Sequence, residues 1–350
     1  MQEHQEHQVD QVHQDHQLND DGVLEIITAV APRSEEREPS PETGCLLCGG
    51  LVFRTMLAGV EDTRLGTSGT YDIRQCVHCG LEQTSPVLSP EALKGLYQKH
   101  YNFGGEKDTL YTRWRERFFF SPCYRLWTWI DGDAAFYWRG GSGRLLDVGC
   151  NEGRGTRMYA RNGFQAEGLD LNEAAAQVAR DAGLTVHVCT LEEFHPEVPY
   201  DVVVLSHVLE HTGDPRQMLI EARRILADGG QVWISCPNGE SWLRRMFGRY
   251  WINWHVPFHI SHFTAKTMFH LLAETGFAPI EESQVTPASW VAQSFIAYVY
   301  DKKGVQNRQL RNPLRVAALM LFARFILFPA LWLGNVRGRG DCLLAVAVKT

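Results

Sequence analysis

The sequence predicts an α/β protein built on a doubly wound, mostly parallel sheet. From Arg144 onward, short apolar runs alternate with amphipathic stretches of helical period, and strands separated by helices form parallel sheets with helices on both faces. The first apolar run leads into three glycines in LLDVGCNEGRGT, residues 145–156, which is typical of a strand that turns tightly into a helix. Asp147 and Asp170 lie at the ends of the first two predicted strands.

Each element follows from a local pattern. Six strands are predicted, at RLLDV, QAEGLD, LTVHV, YDVVVLS, QVWISCP and DCLLAVAVK. Helices are predicted at TRMYARNGF, NEAAAQVARDAG, DPRQMLIEARRILADGG and TAKTMFHLLAETGF. Asn172 and Asp214 suit helix N-caps, Pro215 suits a first helical position, and Gly183 suits a helix end.

The remaining sequence divides around this core, which we place at 141–283. Residues 1–43 contain a Gln- and His-rich repeat and a Pro- and Glu-rich linker, which predict a disordered tail. Residues 44–86 hold two C-x-x-C pairs, and residues 87–140 predict a helical connector. Residues 284–350 predict a helical insertion followed by the last strand of the sheet.

Composition narrows the class of protein. The net charge of −7 over 350 residues argues against a dedicated nucleic-acid binder, which is usually basic. No charged segment followed by an apolar stretch opens the chain, so we expect a cytoplasmic protein. Four of the nine cysteines form two C-x-x-C pairs, which favours metal ligands over disulfides in a reducing compartment.

The paired cysteines predict a zinc site. Two C-x-x-C pairs separated by 27 residues, each followed by glycine, suit four thiolates around one tetrahedral zinc ion. The predicted ligands are Cys45, Cys48, Cys76 and Cys79. The surrounding sequence is neither basic nor rich in aromatic residues, so it does not indicate a nucleic-acid module.

The glycine-rich segment predicts a nucleotide-type cofactor with a cationic end. Asp147 directly precedes the first turn, where a carboxylate would repel a pyrophosphate and attract an ammonium group. Asp170 follows Gly149 by 21 residues, a spacing that suits the hydroxyls of a ribose. S-adenosylmethionine combines a ribose, an ammonium and a sulfonium.

The stretch from 144 to 280 resembles class I S-adenosylmethionine-dependent methyltransferases. The segments that carry the resemblance are LLDVGCNEG, GLD at 168–170, CTLEEF at 189–194, YDVVVLSHVLEH at 200–211, EARRILADGG at 221–230 and HISHFT at 259–264. The resemblance implies a Rossmann-like, seven-stranded sheet. It implies that the cofactor is bound by Asp147, Gly149, Asn151, Gly153, Asp170, Leu171, Thr190, Leu191 and His207. Asn151 departs from the glycine that many members have, but asparagine tolerates positive φ.

Deoxysugar C-methyltransferases in particular resemble this chain, because they carry a similar four-cysteine zinc module that helps to form the substrate site. They also have a histidine at the position of His211. An oxygen or carbon acceptor must lose a proton, and a histidine is suited to remove it. His211 is therefore the predicted general base, and a structural role for this histidine is the alternative. Glu210 is predicted either to orient a histidine or to make an ordinary polar contact.

Residues 241–264 are open to two interpretations and residues 313–333 to three. The first segment interleaves tryptophan, arginine and histidine, which fits an acceptor pocket or a cap packed on the zinc module. Within it, His259 and His262 could pair on a metal, without a third ligand nearby in sequence. The second segment is apolar but contains Arg315, Arg324 and Pro329, which predicts a buried helical pair ahead of a peripheral membrane contact or a span.

The sequence thus predicts an S-adenosylmethionine-dependent methyltransferase for a small molecule or sugar nucleotide, acting by C- or O-methylation. Two alternatives remain: an RNA or protein methyltransferase that docks through the zinc module, and an inactive cofactor-binding scaffold. A missing adenine-methyltransferase signature, Asn/Asp-Pro-Pro-aromatic, counts against DNA adenine as acceptor. The sequence makes no prediction about oligomeric state.

Overall fold

The computed structural model describes residues 44–100, 114, 117–300 and 312–350. The predicted disordered tail and linker at 1–43 lie outside the described residues, as do parts of the predicted connector and insertion.

Eleven strands in the described residues form two sheets. The four-stranded sheet contains β1 (Phe53–Glu61), β2 (Thr70–Cys76), β3 (Glu82–Ser85) and β9 (Ser261–His262). The seven-stranded sheet contains β4 (Arg144–Val148), β5 (Gln165–Asp170), β6 (Val186–Val188), β7 (Tyr200–Ser206), β8 (Leu226–Pro237), β10 (Phe277–Val285) and β11 (Cys342–Lys349).

Ten α-helices connect or cover these strands in the described part of the chain. They are α1 (Pro90–His100), α2 (Pro122–Asp131), α3 (Arg154–Arg161), α4 (Glu173–Asp181), α5 (Pro215–Ile225), α6 (Trp242–Phe247), α7 (Ala265–Glu274), α8 (Ala288–Val299), α9 (Pro313–Phe325) and α10 (Phe328–Val336). The predicted caps are present: the side chain of Asn172 accepts from the amides of Ala174 and Ala175, and that of Asp214 from Gln217.

The large sheet confirms the predicted fold class. Its strand order is β10-β11-β8-β7-β4-β5-β6, with parallel pairing from β8 through β6 and antiparallel pairing of β11 with both neighbours. Alternate residues of the central strands face opposite layers. Leu146 and Val203 pack in the same core as residues of α5 and α7, whereas Leu145 and Val204 pack in a second core with Tyr159 of α3.

Two elements differ from the sequence-based expectation. The helix predicted to run to Gly230 ends at Ile225, because Leu226 already has extended backbone and Gly229 adopts a φ of +73°. Strand β10 was not predicted from its own pattern, since most of its residues are exposed and it contains Pro279. Among the described strands, β10 pairs only with β11 and lies at the edge of the sheet, the position where proline and an irregular polarity pattern are tolerated.

The segment predicted as a buried helical pair forms the pair but is not buried. Helices α9 and α10 meet at a bend of 68°, and no single helix among the described residues has the length and apolarity to cross a bilayer. Arg324 faces the core, where it pairs with Asp131 and donates to the Thr286 carbonyl. Most large apolar side chains of the pair are exposed, which corrects the expectation of burial.

Candidate active site

Most of the predicted cofactor residues follow the carboxyl ends of four adjacent parallel strands. In the order β7-β4-β5-β6, these ends lead to His207, to the 147–153 loop, to Asp170 and to Thr190. Ligands of doubly wound sheets bind at this edge, because the helix N-termini and loops converge there. We call this row of loops the cofactor edge. The structure brings the predicted cofactor residues together along it.

The loop after β4 needs left-handed backbone at three positions. Gly149, Asn151 and Gly153 have φ values of +69°, +55° and +74°. A Cβ on Gly149 would lie 2.8 Å from the Val208 side chain, and one on Gly153 would lie 2.3 Å from Leu184. Glycine is therefore required at these two positions by conformation and by space, while Asn151 occupies the one left-handed position that tolerates a side chain.

Asp170 ends β5 and is fixed by backbone amides. The Asn151 amide donates to one carboxylate oxygen and the Asn172 amide to the other, each at 2.8 Å. Both oxygens retain lone pairs for a ligand, since a carboxylate can accept about four hydrogen bonds. The same residue therefore connects the glycine-rich loop to the start of α4 and presents acceptors to the cofactor edge.

Asp147 lies deeper than Asp170. Its side chain is buried, and the Thr156 hydroxyl donates to it at 2.8 Å. Burial raises the pKa of Asp147 to about 7, and the negative charge of Asp170 adds to this rise. A ligand cation near this carboxyl would be attracted to its ionised form.

The outer part of the cofactor edge combines apolar surface with a fixed turn. Leu171 is 71% exposed directly after Asp170. Thr190 donates its amide and its hydroxyl to the Glu193 carboxylate, at 2.9 and 3.1 Å, and Leu191 is buried beneath it. The exposed Leu171 side chain offers an apolar surface on which a flat ring can pack.

His207 closes the other end of the row with strained backbone. Its φ is +56°, and its amide donates to the Ser235 carbonyl at 2.8 Å. The ring stands at 70° to that of Trp290 on α8, with 5.5 Å between centroids. Positive φ at a residue other than glycine costs free energy and is concentrated at functional sites.

His211 lies one short turn after His207 and contacts two elements from elsewhere in the chain. Its Nδ1 is 3.0 Å from the Phe258 carbonyl and 2.8 Å from the Tyr97 hydroxyl of α1. A carbonyl can only accept, so this contact assigns the ring proton to Nδ1 and leaves Nε2 able to take a proton. Burial lowers the pKa of His211, against a rise caused by the Glu210 charge.

Two more histidines pack around this ring, and we call His211, His255 and His259 the histidine cluster. The centroids of the His211 and His259 rings are 4.6 Å apart, and those of His255 and His259 are 5.0 Å apart. Burial lowers the pKa of both His255 and His259 well below the usual value. His259 Nδ1 donates to the Asn253 carbonyl at 2.7 Å, so its Nε2 is an acceptor.

Glu210 lies beside this cluster as a buried carboxylate. Neither of its carboxylate oxygens has a hydrogen-bond partner among the described residues, and the nearest basic atom is His207 Nδ1 at 3.5 Å. One donor atom each from Glu210, His211 and His259 lie within 4.8 Å of one another. A buried carboxylate without hydrogen bonds favours a positive charge nearby, and the charge of Glu210 opposes the lowering of the His211 pKa by burial without reversing it.

Trp251 and Trp254, within residues 241–264, pack in a cap and do not line an open pocket. Trp251 and Trp254 are buried and meet at 87°. Trp251 Nε1 donates to Asp341 at 2.8 Å, and Trp254 Nε1 donates to the Gly248 carbonyl at 2.9 Å. Both indoles are therefore committed to packing, which supports the cap interpretation for this part of the segment.

The cap also contacts the cysteine-containing sheet. His262 Nε2 lies 3.1 Å from the Thr84 hydroxyl of β3, and burial followed by the charge of Arg244 lowers the pKa of His262 to about 3. Arg244 pairs with Glu82 at 2.9 Å. His262 belongs to the four-stranded sheet, where β9 pairs with β3, whereas the His259 ring packs against that of His211. The two histidines that could have paired on a metal therefore serve different contacts.

The four predicted metal ligands lie together. Their sulfur atoms are all within 4.8 Å of one another, and the two closest pairs are 3.4 and 3.6 Å apart. Thiolates around a tetrahedral zinc ion are separated by about 3.8 Å, so the donor set fits zinc. Although burial raises the pKa of Cys76, backbone amides of Cys79 and His78 and the nearby Cys48 bring it to about 7.

Sequence reasoning missed Tyr97, Phe258 and Trp290 as neighbours of the two site histidines. No motif identifies Tyr97, because it lies 114 residues before His211. The sequence did indicate the region of Phe258, because residues 241–264 were interpreted as an acceptor pocket or a cap. Which of their polar and aromatic side chains contact the site histidines could not be predicted without the structure.

Comparison with known proteins bears on this site. Residues 111–282 match the methyltransferase domain family. Among curated proteins, the ubiquinone biosynthesis O-methyltransferase of Klebsiella pneumoniae subsp. pneumoniae is 36% identical over 125 residues, covering 33% of this chain and 51% of that protein. The Pseudomonas aeruginosa protein of the same name is 33% identical over 118 residues, covering 31% and 49%. The chain therefore spans about half the length of the curated relatives it matches.

The comparison with solved structures also returned methyltransferases. The 1,6-didemethyltoxoflavin-N1-methyltransferase of Burkholderia thailandensis, with bound S-adenosylhomocysteine, has a TM-score of 0.42 and 15% identity, covering 81% of this chain and 97% of that one. A S-adenosylmethionine-dependent methyltransferase of Mesorhizobium loti has a TM-score of 0.40 and 20% identity, covering 63% and 100%.

Proposed function

We propose, from the premise that this chain carries a class I methyltransferase domain matched at residues 111–282, that it transfers a methyl group from S-adenosylmethionine to a small-molecule acceptor. The observation that carries the proposal is the cofactor edge. Asp147, the left-handed loop, Asp170 and His207 lie in one row at the carboxyl ends of adjacent strands.

Within this proposal each part of the cofactor edge binds one part of the cofactor. Asp147 and the backbone at Gly149, Asn151 and Gly153 hold the methionine end. Asp170 accepts hydrogen bonds from the ribose, since its carboxylate is fixed by two backbone amides. Adenine packs along Leu171, Thr190 and Leu191, and His207 lies next to the reacting end.

When bound, the cofactor would supply an electrophilic methyl group on a sulfonium, with the neutral thioether as the leaving group of an in-line displacement. The chain positions the acceptor and removes its proton. The atom that we propose takes the acceptor's proton is Nε2 of His211, since Nδ1 already carries the ring proton and donates it to the Phe258 carbonyl. Glu210 then stabilises the imidazolium that forms, because it is a buried carboxylate close to the ring.

The acceptor that we propose is a small molecule methylated on oxygen or carbon. The matched curated relatives carry the name of an O-methyltransferase, and a neutral histidine can act as a general base toward an oxygen or a carbon acceptor. Sugar nucleotides remain in this class because of the resemblance to C-methyltransferases with a cysteine module. Docking on RNA or protein is the competing proposal, and a nucleic-acid affinity that falls steeply with salt would favour it.

The four cysteines hold zinc in this proposal, and the module supports the cap over the acceptor side through the Thr84–His262 and Glu82–Arg244 contacts. Elemental analysis should find one zinc ion per chain in the native protein and none in a Cys76→Ser variant. Cys123→Ser is the matched control, because Cys123 is exposed and lies outside the cluster. A native chain free of metal, with four titratable thiols in the module, would remove zinc from the proposal.

The domain division of the sequence also stays part of the proposal, with a zinc module at 44–86, a connector at 87–140, a core at 141–283 and a C-terminal insertion. A cytoplasmic enzyme with a peripheral membrane contact through 313–333 is the localisation that fits it.

The test of the function is cofactor binding followed by transfer. Calorimetry should show one S-adenosylmethionine site per chain, and labelled methyl should appear in a phenol or sugar-nucleotide acceptor from a panel. Binding without transfer to any acceptor would support the scaffold alternative, and no binding at all would overturn the proposal.

A further inference from the structure

The C-terminal insertion exposes one large apolar surface. Helices α8, α9 and α10 pack in sequence against one another, and α6 packs against α8. Large side chains on the outside of this group include Phe295, Leu321, Phe322, Phe325, Ile326 and Trp332. An open, almost entirely apolar groove of 370 Å³ lies between α6, α8 and α9. We call this area the insertion surface.

Helices α9 and α10 cannot bury their exposed apolar side chains by rotating about their axes. Ala323 and Leu331 already fill the inner face, and Arg324 is held there by Asp131. Phe325 and Trp332 are nevertheless 66% and 54% exposed. Exposed apolar patches of this extent on soluble proteins mark interaction sites.

The charge of the insertion surface is opposite to that of the whole protein. The chain has a net charge of −7, yet residues 312–340 contain no aspartate or glutamate and four arginines, of which Arg324 is buried and paired with Asp131. Arg337 and Arg339 are exposed at the end of α10, and Arg245 and Arg249 flank the exposed Met246 beside the groove. Basic side chains thus border the apolar side chains from two sides.

The shape of the α9–α10 pair favours an orientation in the plane of a bilayer. The α9–α10 pair is bent by 68°, so its two halves cannot both follow the bilayer normal. Apolar residues that include tryptophan and phenylalanine, bordered by arginine, are the composition of helices that lie in the interfacial plane. Arginine stems can follow the apolar layer while their guanidinium groups reach lipid phosphates.

We propose that the insertion surface is a docking site for an anionic lipid bilayer, formed by α6, α8, α9 and α10 together rather than by residues 313–333 alone. The apolar side chains enter the acyl boundary and the bordering arginines contact the headgroups. The proposal goes beyond the methyl-transfer reaction and does not depend on it.

Vesicle co-sedimentation of the full chain tests this surface. Phosphatidylcholine vesicles rich in phosphatidylglycerol should bind the protein, pure phosphatidylcholine vesicles should bind it more weakly, and high salt should remove the difference. A double substitution, Phe325→Asp with Ile326→Asp, should lower the partition coefficient at least tenfold, since two exposed apolar groups that would enter the acyl boundary become charged. Val198→Asp is the matched control, because Val198 is comparably exposed outside the insertion.

A second variant keeps the test decisive if the double substitution does not fold. Arg337→Gln with Arg339→Gln should lower binding to anionic vesicles by about fivefold per charge and leave binding to neutral vesicles unchanged. Wild-type protein that binds neither vesicle overturns the proposal. A concentration-dependent dimer abolished by the double substitution, without vesicle binding, would assign the surface to a second copy instead. Cofactor calorimetry on the same variants separates these outcomes from a failure of the proposed function.

Discussion

The cofactor edge and the histidine cluster differ in how they are built. The cofactor edge is formed between residues 147 and 207 by consecutive loops at the ends of neighbouring strands, and its outer part is open, with Leu171 exposed. The histidine cluster joins α1, the turn after β7 and the cap, and its histidines are buried or half-buried. One part is defined by backbone conformation, the other by side-chain packing. Binding and proton transfer should therefore be separable by mutation.

The largest expected effect is at His211. His211→Ala should lower turnover by about 10²–10⁴-fold, the usual contribution of a positioned base, with cofactor affinity unchanged. The loss should shrink as pH rises, because hydroxide can then take the proton. His270→Ala, at an exposed histidine of α7, is the control.

Steady-state kinetics measure the turnover and calorimetry measures the cofactor affinity of the same preparations. If His211→Ala lost stability and cofactor affinity together, the residue would be structural and the separation between the two regions would fail. A folded, fully active variant would transfer the base role to another residue near the acceptor.

The next largest effect is at Asp170. Asp170→Ala should weaken cofactor binding by roughly 1.5–3 kcal/mol, because charge-assisted hydrogen bonds to the ribose are lost. Asp201→Ala is a matched control, since Asp201 accepts from the Arg144 amide at 2.7 Å but lies at the amino end of β7. Equal affinity of the Asp170 variant and wild type, measured by calorimetry, would exclude this carboxylate from the site.

A pH effect of intermediate size is expected from Asp147. Burial raises the pKa of its carboxyl to about 7, and a bound ammonium would lower it. The ionised form that binds the cation is therefore present above pH 7 and is lost as pH falls, so the dissociation constant should rise by up to about tenfold per pH unit below 7. Asp147→Asn should show a flat profile between pH 5 and 7; a flat wild-type profile would mean that Asp147 does not contact the ammonium.

The smallest effect is expected at Tyr97. Tyr97→Phe removes the hydroxyl that lies 2.8 Å from His211 Nδ1 but keeps the edge contact with Phe258. Loss of one such hydrogen bond is worth about 1 kcal/mol, so kcat should fall about fivefold and the acidic limb of its pH profile should shift. Tyr298→Phe, at an exposed tyrosine, should change neither, and an unshifted profile for Tyr97→Phe would make its role purely structural.

Much of the cofactor edge could be predicted because its determinants are local. A left-handed residue calls for glycine or asparagine wherever it occurs, and Asp147 and Asp170 are placed by their position at strand ends. The polarity of β10 and the length of α5 could not be predicted in this way. An edge strand has no buried face to impose a pattern, and the helical period of α5 continues past Ile225 although the backbone turns there.

By itself, the sequence determined the parallel part of the large sheet, the order of its parallel strands and helices along the chain, and the spacing of the two cysteine pairs, because each depends on periodicity or on residues close in sequence. The tertiary structure alone decided which histidine faces His211, that Tyr97 reaches it from α1, and that Trp251 and Trp254 are committed to packing. It also decided that the apolar side chains of α9 and α10 face outward. A side chain's neighbours depend on how distant elements pack, and no local pattern encodes that packing.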